Sequence, residues 1–297
     1  MCASPEKPFW PLPGPVTRRA WLAAAGWLCS GLLMAPALAA MPELRIGVEP
    51  YISPRSLIAG YLPLRQALER NLGRPVMLFT GADYRQFLRR VEAADFDLLL
   101  LSPHAARFAE TSGGYQAVAQ SAARSSGLLL VRKESPIRRI EELRGSTIAM
   151  PDPLTAATLL GESLLRESGL MTANAVTLRY YTVHNTAALM VLRGGVQACV
   201  INNTAFSQMP ADIRQHLRVL AETPTIAHAS LLVRMGLTPA EQKRQVDAVM
   251  LFVNSTQNGR SILAKYGLHG LEPLSNADQA RLEPMEKELS RRLTKGL

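Results

Sequence analysis

The chain has 297 residues, 47% of them hydrophobic and 19% charged, a balance that excludes a largely disordered protein and gives one or two domains with a sizeable core. Its net charge of +9 favours anionic partners, but the basic residues are dispersed without a basic-aromatic stripe, which argues against a nucleic-acid platform. Three cysteines and no cluster at metal-ligand spacing leave neither a disulfide scaffold nor a metal centre, and no cofactor is expected.

Residues 1–40 read as an export signal. Arg18 and Arg19 precede an uncharged run from Ala20 to Ala40, with Pro36 ahead of the small-residue stretch Ala37-Leu38-Ala39. The paired arginines resemble a twin-arginine signal, so the expected destination is the periplasm, with cleavage after Ala39 or Ala40. An uncleaved anchor is the alternative, because this run could just span a bilayer. Cleavage would lower the net charge from +9 to +7 by removing three basic residues and one acidic residue, and would leave Cys199 as the lone cysteine.

Leu44 to Val48 reads as a strand, Glu49 to Pro54 as a turn, and Ser56 to about Leu72 as a helix stopped by Gly73. Val76 to Thr80 is the next strand, and Asp83 caps a helix with Phe87, Leu88 and Val91 on one side. Phe96 to Ala106 then runs from four leucines, Leu98 to Leu101, into Ser102-Pro103-His104. Such a strand suits a parallel sheet covered on both faces, whose ligands bind beyond the carboxyl ends of the strands. This βαβαβ order predicts a doubly wound sheet, with Ser53, Tyr84 and Ser102 at its strand-to-helix turns and His104 beside them. The plainer alternative makes Ser102 a helix cap and His104 an exposed first-turn residue.

Ser126 to Arg132 leads into a second unit. A helix is expected to open at Ser135-Pro136 and close near Leu143 and Gly145, followed by a strand from Thr147 to Met150 and a helix from Leu154 to Ser168. Val176–Tyr181 and Ala198–Ile201 read as strands around a helix from Thr186 to Arg193, and Leu217–Ala221 as another strand. Ala229 to Arg234 echoes Gly127 to Arg132, which predicts neighbouring strands crossing between two lobes. Helices over Pro239–Asn254, Ser261–Tyr266 and Ala277 onward are expected to pack back on the first lobe. The resulting division is an export signal at 1–40, one lobe from 41–127 and 229–297, and a second from 128–228. One continuous α/β domain is the alternative.

From Leu44 to Leu268 the chain resembles the phosphonate-type (phosphate, phosphite and phosphonate) solute-binding proteins of ABC importers. The resemblance rests on LRIGV followed by Pro50 and Pro54, on Pro63-Leu64, Asp83-Tyr84 and FDLLLLSPH, and on LLVRKESPIRRIEELRGSTIAMPDP and HNTAALMVLRGGVQACV. It implies a two-lobed periplasmic-binding fold of type II character, with two hinge strands, that closes on a small anion and presents it to a permease. The family's oxyanion site resembles Ser-Thr-Ser-Gly after the Asp-Pro pair; here Leu154-Thr155-Ala156-Ala157 stands there, keeping one hydroxyl. By the same resemblance His184, before Asn185-Thr186, is an oxyanion ligand. Tyr84 and His104 hold matching first-lobe positions, and Asn202 and Asn203 replace the acids of amine-binding members. Tyr51 and Ser53 are placed at the cleft mouth. The plainer alternatives are capping for Thr155 and His184 and loop packing for Tyr51.

The expected partners are therefore a small, phosphonate-like ligand and an ABC permease, with the protein a monomer. A membrane histidine kinase is the alternative partner, and a non-phosphorus solute the alternative ligand. Catalysis is not expected, because no acid is evidently arranged to orient His104 toward Ser102 as a triad requires.

Overall fold

A computed structural model describes residues 42–264 and 269–295. The segment read as an export signal, with Cys2, Arg18, Arg19 and Cys29, lies outside the described residues, as does the end of the helix expected to reach Tyr266.

The chain opens with β1 (Leu44–Val48), α1 (Pro54–Leu72), β2 (Val76–Phe79), α2 (Tyr84–Glu92), β3 (Leu98–Leu101) and α3 (Pro103–Ser112). Local chemistry sets these boundaries. Ser53 Oγ accepts the N–H of Ser56 just ahead of Pro54, and Asp83 Oδ1 accepts the N–H of Gln86 at 2.7 Å. Gly73 ends α1 at φ 65°, a left-handed conformation that favours glycine. β1 lies parallel between β2 and β3, and the leucines of β3 are enclosed on both faces. β4 (Tyr115–Ser121) and β5 (Arg124–Ser125) follow.

β6 (Gly127–Arg132) enters the second sheet. The helix expected from Ser135 to Gly145 is a turn followed by one 3-10 turn, Ile140–Leu143. Side chains take backbone partners here, Ser135 Oγ accepting the N–H of Ile137 and Glu142 Oε2 that of Arg138 at 2.8 Å, which competes with helical bonding. Then come β7 (Thr147–Met150), α4 (Ala156–Glu167), β8 (Thr177–Tyr180), α5 (His184–Leu192), β9 (Ala198–Asn202), α6 (Asn203–Gln208), α7 (Ala211–Arg214) and β10 (Leu217–Glu222). The chain returns through β11 (Ile226–Ala227), antiparallel to β5, into β12 (Ser230–Arg234), α8 (Pro239–Ser255), α9 (Gln257–Ala264), β13 (Leu271–Glu272) and α10 (Asn276–Lys295).

The two sheets have strand orders β13-β4-β12-β3-β1-β2 and β10-β6-β9-β7-β8. Each contains three parallel strands in the order third, first, second, with one antiparallel strand packed beside the third. That antiparallel strand is β12 in one sheet and β6 in the other. The echo between Gly127–Arg132 and Ala229–Arg234 therefore marks equivalent places in two sheets, not neighbouring strands. The segments that pair on the two passages between sheets are β5 and β11. The architecture is a two-lobed α/β fold with a doubly wound sheet in each lobe. Helices α8 and α9 pack on α1, and α10 packs on α3. No helix among the described residues is long and apolar enough to cross a membrane.

Candidate functional site

The carboxyl ends of β1 and β3 face the starts of α4 and α5 across a small cavity. A concave space between helix starts and strand ends suits a small solute. Among the described residues, neither lysine nor arginine lines it. Backbone N–H groups at helix starts and side chains other than lysine and arginine are what an anion would meet there.

On the second lobe, Thr155 caps α4. Its Oγ1 accepts the N–H of Thr158 at 3.2 Å and donates to the carbonyl of Asp152 at 3.0 Å. Ala156 and Ala157 follow on the cavity wall, and their N–H groups have no acceptor within the helix. A Cβ added at Gly161 would lie 2.9 Å from Val200 Cγ1, so the glycine lets α4 seat closely over β9. His184, the first residue of α5, accepts the N–H of Asn202 on Nδ1 at 3.3 Å. A backbone N–H can only donate, so the ring proton sits on Nε2 and His184 is a neutral donor. Burial, reinforced by the charge of His228, pushes its pKa down to about 3. Asn202 caps α6 through its Oδ1, 2.6 Å from the N–H of Ala205.

On the first lobe, Glu49 at the end of β1 reaches the start of α3. Its Oε2 lies 2.9 Å from the N–H of Ser102 and 2.8 Å from Ser102 Oγ. Ser102 Oγ is also 3.1 Å from His104 Nδ1, and His104 Nε2 is 2.9 Å from the carbonyl oxygen of Leu154 in the second lobe. That carbonyl accepts, so His104 carries its proton on Nε2 and its Nδ1 is an acceptor. The Ser102 hydroxyl donates to Glu49 when the acid is ionised; a protonated Glu49 can donate to Ser102 Oγ instead and free the hydroxyl hydrogen for His104 Nδ1. Burial, opposed by the two bonds from Ser102, pushes the Glu49 carboxyl up to about 7. Burial also pushes His104 down to about 4, against the bond to Leu154. The serine stands between acid and histidine, whereas a nucleophilic triad places the histidine in the middle.

Residues 46–279 match the family described as the ABC transporter, phosphonate, periplasmic substrate-binding protein. The chain belongs to this family. No curated protein matches it by sequence. Among solved structures, the binding protein is similar to a binding-protein component of an ABC phosphonate transporter from Pseudomonas aeruginosa. Those two chains are 18% identical, with a TM-score of 0.71 over 86% of this chain and 97% of the other. It is also similar to PhnD1 from Prochlorococcus marinus in complex with methylphosphonate, at 13% identity and TM-score 0.73 over 84% and 98% of the two chains. The periplasmic aliphatic sulphonate binding protein SsuA from Escherichia coli aligns at 18% identity and TM-score 0.58, over 84% and 87%. At these identities the likeness concerns the fold.

Of the residues singled out from sequence, Tyr51, Tyr84, Ser102, Thr155, His184 and Asn202 line the cavity of this binding protein. Ser53 and Asn185 do not; they line a wider recess between the lobes with Ile52 and Val183. His104 is fully enclosed with both ring nitrogens bonded, and it supports Ser102 from behind. Glu49, Ser126 and His228 also line the cavity and were not predicted. The signal for Glu49 was its place directly after β1, at a strand's carboxyl end.

Proposed function

We propose that the mature protein is exported to the periplasm, captures a small phosphorus oxyanion such as a phosphonate between its lobes, and delivers it to an ABC permease as a monomer. The observation that carries this reading is that Ala156 and Ala157, at the start of α4, and His184, at the start of α5, line one small cavity that neither lysine nor arginine lines among the described residues. Tyr84 and Asn202 add neutral polar groups to the lining, with Thr155 fixing the helix start. The lobes are taken as 41–127 with 229–297, and 128–228, with β5 and β11 as the hinge. The arrangement holds an anion without offering a nucleophile, so the reading is capture and not turnover.

Calorimetric titration of the mature protein, stripped of carried-over ligand, tests it against phosphate, phosphite, methylphosphonate, methanesulfonate and a dicarboxylate. Micromolar or tighter binding of one phosphorus oxyanion is the expected result, weakened in His184→Ala. Preference for the sulfonate or the dicarboxylate would assign another solute class, and silence across all five would overturn the reading.

A further inference from the structure

Glu49 is a carboxyl group at the heart of a cleft arranged for anions. It is half-buried and lines the cavity. By bonding the N–H of Ser102 it also occupies the start of α3, where a ligand anion would otherwise dock. Two negative groups in one small cavity repel strongly unless a proton lies between them.

We propose that the cleft binds its oxyanion together with one proton, shared between the ligand and Glu49 and held through the Ser102–His104–Leu154 chain of hydrogen bonds. Glu49 is a specificity-determining residue by this account. It accepts oxyanions that bring a proton, such as a hydrogen phosphonate, and discriminates increasingly against permanently unprotonated anions as pH rises. The inference rests on the phosphorus-oxyanion reading and adds the charge state of the ligand.

The other titratable groups facing this corner are Tyr51 on the loop after β1, Tyr61 on α1 and Tyr84 at the start of α2. Asp152 lies near Tyr84, and His184 and His228 face the corner from across the cleft. Burial keeps His184 and His104 neutral above pH 6 and pushes Tyr84 upward. Burial pushes Glu49 up to about 7, within reach of ordinary buffers.

The test is calorimetry of wild type, Glu49→Gln and His228→Asn with methylphosphonate and with methanesulfonate, between pH 6 and 8.5 in buffers of differing ionisation enthalpy. Methanesulfonate does not titrate there, so any proton taken up belongs to the protein. Wild type should take up protons on binding, and its methanesulfonate affinity should fall about tenfold per pH unit once Glu49 ionises. His228→Asn should keep this dependence. Glu49→Gln, whose amide mimics the protonated acid, should take up no proton from the protein and bind methanesulfonate independently of pH. A wild-type profile that Glu49→Gln reproduces, or a dependence that disappears in His228→Asn, would overturn the inference alone. If Glu49→Gln does not fold, the absence of proton uptake by wild type and His228→Asn overturns it equally. No binding of any oxyanion by any of the three overturns the phosphorus-oxyanion reading, and this inference with it.

Discussion

His104 Nε2 lies 2.9 Å from the carbonyl oxygen of Leu154, joining α3 of the first lobe to the loop before α4 of the second. His104→Ala removes this bond and leaves both the carbonyl and Ser102 short of a partner in a buried setting. The expected loss is about 1–3 kcal/mol of stability, read from urea denaturation, together with weaker methylphosphonate binding although His104 lines no part of the cavity. Unchanged values of both would mean that the contact does not matter.

Acid should destabilise the protein well before its exposed carboxylates titrate. His104 and His184 have folded pKa values of about 4 and about 3, below the usual 6.5, because both rings are buried. Their contribution is complete above about pH 6.5 and is lost as pH falls toward those folded values, at about 1.4 kcal/mol per pH unit for each group. Glu49 has the opposite sign. Its folded value of about 7 lies above the usual 4.5, so its contribution is present below about pH 4.5 and is lost as pH rises through 7. Between pH 5 and 6.5 the glutamate offsets one histidine. Glu49→Gln should therefore steepen the decline from about 1.4 to about 2.8 kcal/mol per unit, a difference that denaturation at two pH values resolves.

Arg292, near the end of α10, ties that helix to the second lobe. It bonds Glu162 of α4 through both terminal guanidinium nitrogens, Nη1 at 3.2 Å, and donates to the carbonyl of Pro153 at 2.7 Å. Tyr180 Oη donates to the same carboxylate at 2.9 Å. Both charged side chains are buried. Removing the guanidinium alone strands the acid, so Arg292→Met should cost about 3–5 kcal/mol, while Arg292→Met with Glu162→Met should cost clearly less. Thermal unfolding of the single and double variants separates these outcomes; equal losses would rule out a stranded charge.

Cys199 is fully buried in β9, and burial pushes its thiol well above the usual range. In the mature protein it should resist alkylation under native conditions and react fully in denaturant. Rapid native labelling would show that β9 opens locally.

Much of the fold was legible because its strongest signals are local. Leu98 to Leu101 could be little other than an enclosed strand, and Asp83 and Thr155 both cap the helices they precede. The family resemblance drew attention to Thr155, His184 and Tyr84, all of which line the cavity. What could not be read depends on contacts far apart in sequence. Glu49 looked like a turn residue among prolines, since its partner Ser102 is 53 positions away. His104 sits one residue beyond Pro103 in α3, and the helix turns its ring away from the cavity toward Leu154, 50 positions later. At Ser135 the cap-like pair Ser-Pro was present, but the N–H groups of Ile137 and Arg138 bond to side chains instead of continuing a helix.

Leu154 stands where the family resembles a serine, and its side chain belongs to the first lobe's apolar core although its backbone leads into α4 of the second. Drawing the lobes apart would return this leucine to water at a cost of about 1.5–3 kcal/mol, whether or not cargo is held. On the function proposed above, this contact is expected to lengthen the dwell of a captured solute. Leu154→Ser should speed ligand release in a stopped-flow experiment. Slower release in the wild type than in this variant would mean that an apolar contact between the lobes, as well as the polar groups of the cavity, opposes opening.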